Sequence, residues 1–195
     1  MNIAFLFFND FETLDVMGPC EVFGFVKNAD LRYFSVSGGI VKAKQGYFIE
    51  TQPLSQMEQN SVLVIPGGMG TRTLANDKDF VLALKTAALR AEYILTICTG
   101  SGLLARTGLL DGLLATSNKN AFDWAVQQGQ YVKWQKSARW TVDGRFYTAS
   151  GVSAGIDMAL GFVADRNGAK EAKEVAAIME YIWNNDREND PFAKG

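Results

Sequence analysis

The sequence predicts an α/β fold built on a mainly parallel sheet. Short apolar runs rich in β-branched and aromatic residues alternate with longer stretches of helical periodicity. One such run, Tyr93–Ile97, passes straight into Cys98 and then into the helix-opening Thr-Gly-Ser. That strand–turn–helix order presents a thiol at the carboxyl edge of a sheet, next to a helix N-terminus.

The elements follow in order. Residues 3–8 form the first strand, and residues 13–26 a helix interrupted at Gly18-Pro19, where proline suits the first turn of a new helix. Residues 31–37 are a second strand, and residues 40–49, with Gly46 near the middle, a hairpin excursion. Residues 61–65 make an apolar, central third strand. It ends in Pro66-Gly67-Gly68, where missing side chains allow close backbone approach. A helix over 77–90 precedes the strand that ends at Cys98, and residues 115–117 and 145–149 read as later strands. Long amphipathic helices are expected over 153–166 and 169–183, with 184–195 a solvated end.

A chain of 195 residues fits one domain, 1–195, with a sizeable core. No internal repeat or linker divides it. A net charge of −2 with scattered Lys and Arg gives no footprint for nucleic acid or an anionic membrane. The apolar start MNIAFLFFND lacks a basic leader and reads as a buried strand, and no window reaches transmembrane length. The two cysteines, Cys20 and Cys98, are far apart in sequence, so neither a disulfide framework nor a zinc site is expected and the metal expectation is none. Cytoplasmic placement follows as the expectation.

Three segments end at carboxyl edges of inferred strands, where open α/β sheets place their sites. The first delivers Asp10, Glu12 and Asp15, the third Gly67 and Gly68, and the fourth Cys98. The chain contains no histidine, so the usual imidazole partner of a catalytic thiol cannot exist. A shared proton between Cys98 and Asp15 is the remaining acid–base device. The helix N-terminus is expected to lower the thiol pKa below about 8.5, against repulsion from an ionised Asp15. The bland readings are a buried structural thiol for Cys98, a capping carboxylate for Asp15, a turn for Gly68 and a helix start for Thr99. Cys20 reads as core, and Trp124, Trp134 and Trp140 as core or interface. Asp10, Glu12 and Asn118 are possible pocket residues.

Four motifs make the chain resemble the ThiJ/PfpI superfamily, relatives of class I glutamine amidotransferases. They are LDVMGPCEVFGF (14–25), VLVIPGGMG (62–70), ICTGSGLLARTGLLDG (97–112) and TASGVSAGIDMAL (148–160). The resemblance implies a flavodoxin-like three-layer α/β/α sandwich with a nucleophile elbow. Asp15 with Cys98-Thr99 is similar to the isocyanide hydratase branch, whereas EYIWNNDRENDPF (180–192) is similar to a broader set of members. By resemblance, Cys98 is the nucleophile and Asp15 the acid/base. Backbone N–H groups of Gly68 and Thr99 receive developing negative charge. The partner is a small-molecule substrate, the assembly a homodimer, and no cofactor is implied. Many members place a histidine near position 118; asparagine there cannot shuttle protons near neutrality. Hydration of a small electrophile is therefore expected ahead of amidase or peptidase chemistry. A sensor role through oxidation of Cys98 is the competing expectation. The superfamily also supplies ligand-binding halves of transcription regulators; the short stretch after the last helix is expected to leave no room for a DNA-binding module.

Overall fold

A computed structural model describes residues 1–193 as a three-layer α/β/α sandwich. The strands are β1 (Asn2–Leu6), β2 (Asp30–Ser35), β3 (Gly39–Lys42), β4 (Phe48–Pro53), β5 (Val62–Ile65), β6 (Tyr93–Ile97), β7 (Leu114–Ala115), β8 (Lys133–Trp134), β9 (Trp140–Asp143) and β10 (Phe146–Ala149). The helices are α1 (Thr13–Gly24), α2 (Thr71–Leu74), α3 (Lys78–Arg90), α4 (Gly100–Arg106), α5 (Phe122–Gln128), α6 (Ala154–Asn167) and α7 (Ala169–Ile178).

Eight strands form the sheet in the order β3-β4-β2-β1-β5-β6-β10-β9. The β2-β1-β5-β6-β10 centre is parallel throughout, and antiparallel pairs close both edges. Strand β5 is buried along its whole length, as its unbroken VLVI requires of a strand covered on both faces. Helices α1, α6 and α7 pack together, and α2 to α5 form a second group. Among the described residues, no helix is long and apolar enough to cross a membrane.

Several elements differ from the sequence expectation. Pro19 does not begin a new helix; it lies inside a continuous α1 and is buried there with Gly18. A Cβ on Gly18 would stand 2.6 Å from Ile156, so this stretch of α1 presses closely on α6. The strand expected at 115–117 is the two-residue β7, which pairs only with β8, outside the main sheet. Helix α6 is not amphipathic: residues 154–163 are all buried, since α1, α7 and the sheet pack around it.

Helix α7 stops at Ile178, short of 183. Glu180 takes the left-handed region at φ 50°, and the Tyr181 N–H bonds to the Ala176 carbonyl at 2.9 Å. This closure normally uses glycine, so the sequence carried no stop signal. The following chain is largely exposed, as expected of a solvated end, but it is anchored at two points. Asp190 is buried, and Arg139 N–H bonds to the Arg187 carbonyl at 2.9 Å. Residues 194–195 of that expectation lie outside the described residues.

Candidate active site

Three loops meet above the carboxyl ends of β1, β5 and β6. The Glu12 N–H bonds to the Gly67 carbonyl at 2.9 Å, tying the start of α1 to the glycine turn after β5. One turn into α1, Asp15 is fully buried, and its Oδ2 accepts the Gly67 N–H at 2.8 Å. Gly67 has no room for a side chain: a Cβ would stand 2.6 Å from the Thr99 nitrogen and 2.9 Å from Asp15 Oδ2. Gly68 sits at φ 130°, where a Cβ would meet the Asp10 carbonyl oxygen at 2.4 Å.

Cys98 forms the elbow between β6 and α4, with a left-handed φ of 56°. Such a conformation in a non-glycine residue costs on the order of 1–3 kcal/mol and persists only where its surroundings enforce it. Its N–H donates to the Ala149 carbonyl at 3.2 Å, and its carbonyl accepts the hydroxyls of Ser117 (2.9 Å) and Ser101 (3.1 Å). A Cβ on Gly100 would lie 2.4 Å from the Ile65 carbonyl oxygen, so the first turn of α4 can approach β5 only as glycine.

Burial pushes the Asp15 carboxyl up to about 7, against the pull of the Gly67 N–H and with a further push from Glu12. Burial also pushes the Cys98 thiol up, and the Asp15 charge adds to this. The neighbouring Thr99 N–H and hydroxyl pull the other way. The expected lowering by a helix N-terminus is thus overturned. Helix α4 has only seven residues, too short for its dipole to outweigh desolvation of a thiol that is 7% exposed. The two groups act on each other, yet Asp15 Oδ1 is buried without a well-aligned partner. A proton on Oδ1 directed at the sulfur would end that isolation.

Thr99 is buried, and its Oγ1 accepts the Gly68 N–H at 3.1 Å while Thr71 Oγ1 stands 3.1 Å away. The Gly68 N–H, expected to face an oxyanion, is therefore directed at the Thr99 hydroxyl in this arrangement. Asn118 lines the pocket over Cys98, with its Oδ1 capping the next turn through the N–H groups of Asn120 and Ala121. Glu12 also lines the pocket and pairs with Lys44 at 3.1 Å. Asp10 contributes backbone only: its N–H donates to the Lys42 carbonyl at 2.9 Å and its own carbonyl accepts from Gly70 at 3.3 Å. Cys20 is half-buried beside the Tyr33 hydroxyl, 3.3 Å away. Trp140 is buried, Trp134 packs on Phe122, and Trp124 lies under the guanidinium of Arg72.

The pocket encloses about 190 Å³. Arg72, Lys44 and Met69 also line it; sequence reasoning missed them, since only the fold brings these loop residues over Cys98. A larger cavity of about 420 Å³, holding Lys119, Arg139 and Asp190, shares Asn118 and Val152 with it. Among the described residues, no group of three or more His, Cys, Asp or Glu side chains could hold a metal.

The DJ-1/PfpI family profile matches residues 1–165. Isonitrile hydratase from Pseudomonas putida is 29% identical over 184 residues, covering 93% of this chain and 78% of that relative. The crystal structure of a ThiJ/PfpI family protein from Pseudomonas syringae superposes with a TM-score of 0.85 at 29% identity, covering all of this chain and 78% of that one. Drosophila melanogaster DJ-1beta superposes with a TM-score of 0.80 at 19% identity, over 93% of this chain and 98% of that one.

Proposed function

From the premise that the chain belongs to the DJ-1/PfpI family, we propose that it is a cysteine-dependent hydratase converting a small isonitrile to a formamide, with Cys98 as nucleophile and Asp15 as acid and base. One observation carries the reading: a buried carboxyl, pushed up to about 7, shares its enclosure with the thiol in a chain without histidine. The 29% identity to an isonitrile hydratase supports the substrate class.

In the first step the Cys98 sulfur, with its proton passed to the Asp15 side, attacks the terminal carbon of R–N≡C. The new C–S bond forms as Asp15 delivers its proton to that carbon, giving the thioimidate R–N=CH–S–Cys98 and an Asp15 carboxylate. Water then adds across C=N, with hydroxide to carbon and a proton to nitrogen. Asp15 takes the proton of the new hydroxyl as the C–S bond breaks. R–NH–CHO leaves, and the pair again holds one proton between the sulfur and Asp15. Each step needs only one proton held between two groups, which an environment that separates their ionisations supplies. Thr99 N–H supports the negative sulfur at both ends of the cycle. Asp15, as the only acid in the step sequence, makes expulsion of a poor amine leaving group a demanding reaction, so amide hydrolysis is disfavoured.

The test is incubation with methyl isocyanide, with formamide followed by NMR. Turnover by the wild type and none by Cys98→Ala is expected. Absence of turnover, or equal turnover by Cys98→Ala, would overturn the reading. The oxidation alternative rests on the Thr99 N–H and a protonated Asp15 beside the sulfur, both fit to hold a sulfinate. It takes precedence if no isonitrile is hydrated while mild peroxide adds about 32 Da selectively at Cys98.

A further inference from the structure

Arg72 follows the glycine turn on the short α2 and reaches into the wall of the Cys98 pocket. Its guanidinium lies 3.9 Å from the Trp124 ring centroid, and one of its terminal nitrogens donates to Thr71 Oγ1 at 2.7 Å. Thr71 Oγ1 donates to Thr99 Oγ1 at 3.1 Å, and Thr99 follows Cys98 and lines the same pocket. A chain of polar contacts thus runs from Arg72 to Thr99, the residue after Cys98. Among the described residues, no carboxylate lies within ion-pair distance of Arg72, and its remaining N–H groups have no acceptor. The other cation of the pocket wall, Lys44, is already paired with Glu12 at 3.1 Å. Arg72 is half-buried; burial pushes its pKa down, against an opposing pull from Cys98.

A half-buried guanidinium with unused donors, held over an indole ring, fits a carboxylate. We propose that Arg72 makes the Cys98 pocket an anion-accepting site, selecting small electrophiles that carry a carboxylate and presenting their other end to the thiol. The enclosure of about 190 Å³ limits such a molecule to a few atoms between carboxylate and electrophilic carbon. The isonitrile as electrophile rests on the function proposed above; the charge preference does not.

The two parts are separable by experiment. Site-resolved mass spectrometry gives the alkylation rates of Cys98 by iodoacetate and by iodoacetamide, reagents alike except for charge. Arg72→Gln is expected to lower the iodoacetate-to-iodoacetamide ratio by roughly three- to tenfold, as loss of a nearby cation requires. Arg72→Lys should keep most of it. An unchanged ratio in Arg72→Gln, or an equal loss in Arg72→Lys, would overturn the assignment of charge recognition to Arg72.

If Arg72→Gln fails to fold, the wild type still decides. Raising salt from about 0.01 to about 1 M screens the local attraction and should lower the ratio. A net charge of −2 acting without a local cation would raise it instead, and that result would overturn the proposal. Turnover supplies the second arm. Isocyanoacetate should exceed methyl isocyanide in kcat/KM, and Arg72→Gln should reverse most of the advantage; the same preference in wild type and variant would overturn the substrate class. If neither isonitrile reacts, the hydratase reading falls while the alkylation ratio still judges Arg72.

Discussion

At the scale of single residues, Asp15 carries a cost that pH reveals. Its folded carboxyl ionises at about 7, against 3.8 as the ordinary value. Between those pH values the folded protein keeps a proton that the unfolded chain has released. Stability therefore falls as pH rises through this window, and the loss is complete above the folded value. At 1.36 kcal/mol per unit it is on the order of 4 kcal/mol. Asp15→Asn, which cannot ionise, should gain stability relative to wild type by a few kcal/mol between pH 4 and pH 8, measured by urea unfolding. A difference that stays constant with pH would contradict the buried-acid assignment. The identities of Cys98 and Asp15 were legible because each stands in a motif at a strand end. Their electrostatics were not, because desolvation depends on what covers a residue, and Arg72 was missed because only the folded chain brings it to Trp124.

Among the elements, the glycine turn after β5 is the part that joins acid and thiol. Gly67→Ala keeps a backbone conformation open to alanine but drives a methyl into the Thr99 nitrogen and Asp15 Oδ2. Overpacking of this kind costs about 1–3 kcal/mol, so the variant should fold with a lowered Tm. Cys98 and Asp15 should then titrate separately, removing the inflection near pH 7 expected in the wild-type alkylation profile of Cys98. A retained inflection would show that the turn does not hold the pair. The central strands were readable from their apolar runs, and β6 was placed residue for residue at Tyr93–Ile97. The edges were not. Strand β9 is four residues long and mixes Trp and Val with Thr and Asp, and β7 pairs outside the sheet that its sequence suggests.

Across the whole molecule, one buried ion network anchors the C-terminal segment. Arg139, 5% exposed, donates to Asp157 Oδ2 at 2.5 and 2.7 Å and lies 3.6 Å from Asp190. Asp157 Oδ1 accepts from the Tyr181 hydroxyl at 3.1 Å and the Asn184 N–H at 3.0 Å, while Asp190 accepts from Ser150. Asp157→Ala removes the nearer of two carboxylate partners of a buried cation and should cost about 3–5 kcal/mol in urea unfolding. The 184–193 segment should at the same time become cleavable by protease under native conditions; a cost below about 1 kcal/mol would mean that solvent reaches Arg139 freely. This segment looked like a solvated tail because its charges have no period; the burial of Asp190 depends on Arg139, whose N–H also reaches the Arg187 carbonyl 48 positions later.

The elbow at Cys98 has a mechanical consequence. Its amide, its carbonyl and its φ are all held, so the sulfur travels only on the arc allowed by rotation about the Cα–Cβ bond. The thiol cannot chase its target. A reacting carbon has to be brought onto that arc from above, and the angle of approach belongs to the walls of the pocket, so substitutions there should alter which molecules react before they alter how strongly the thiol attacks.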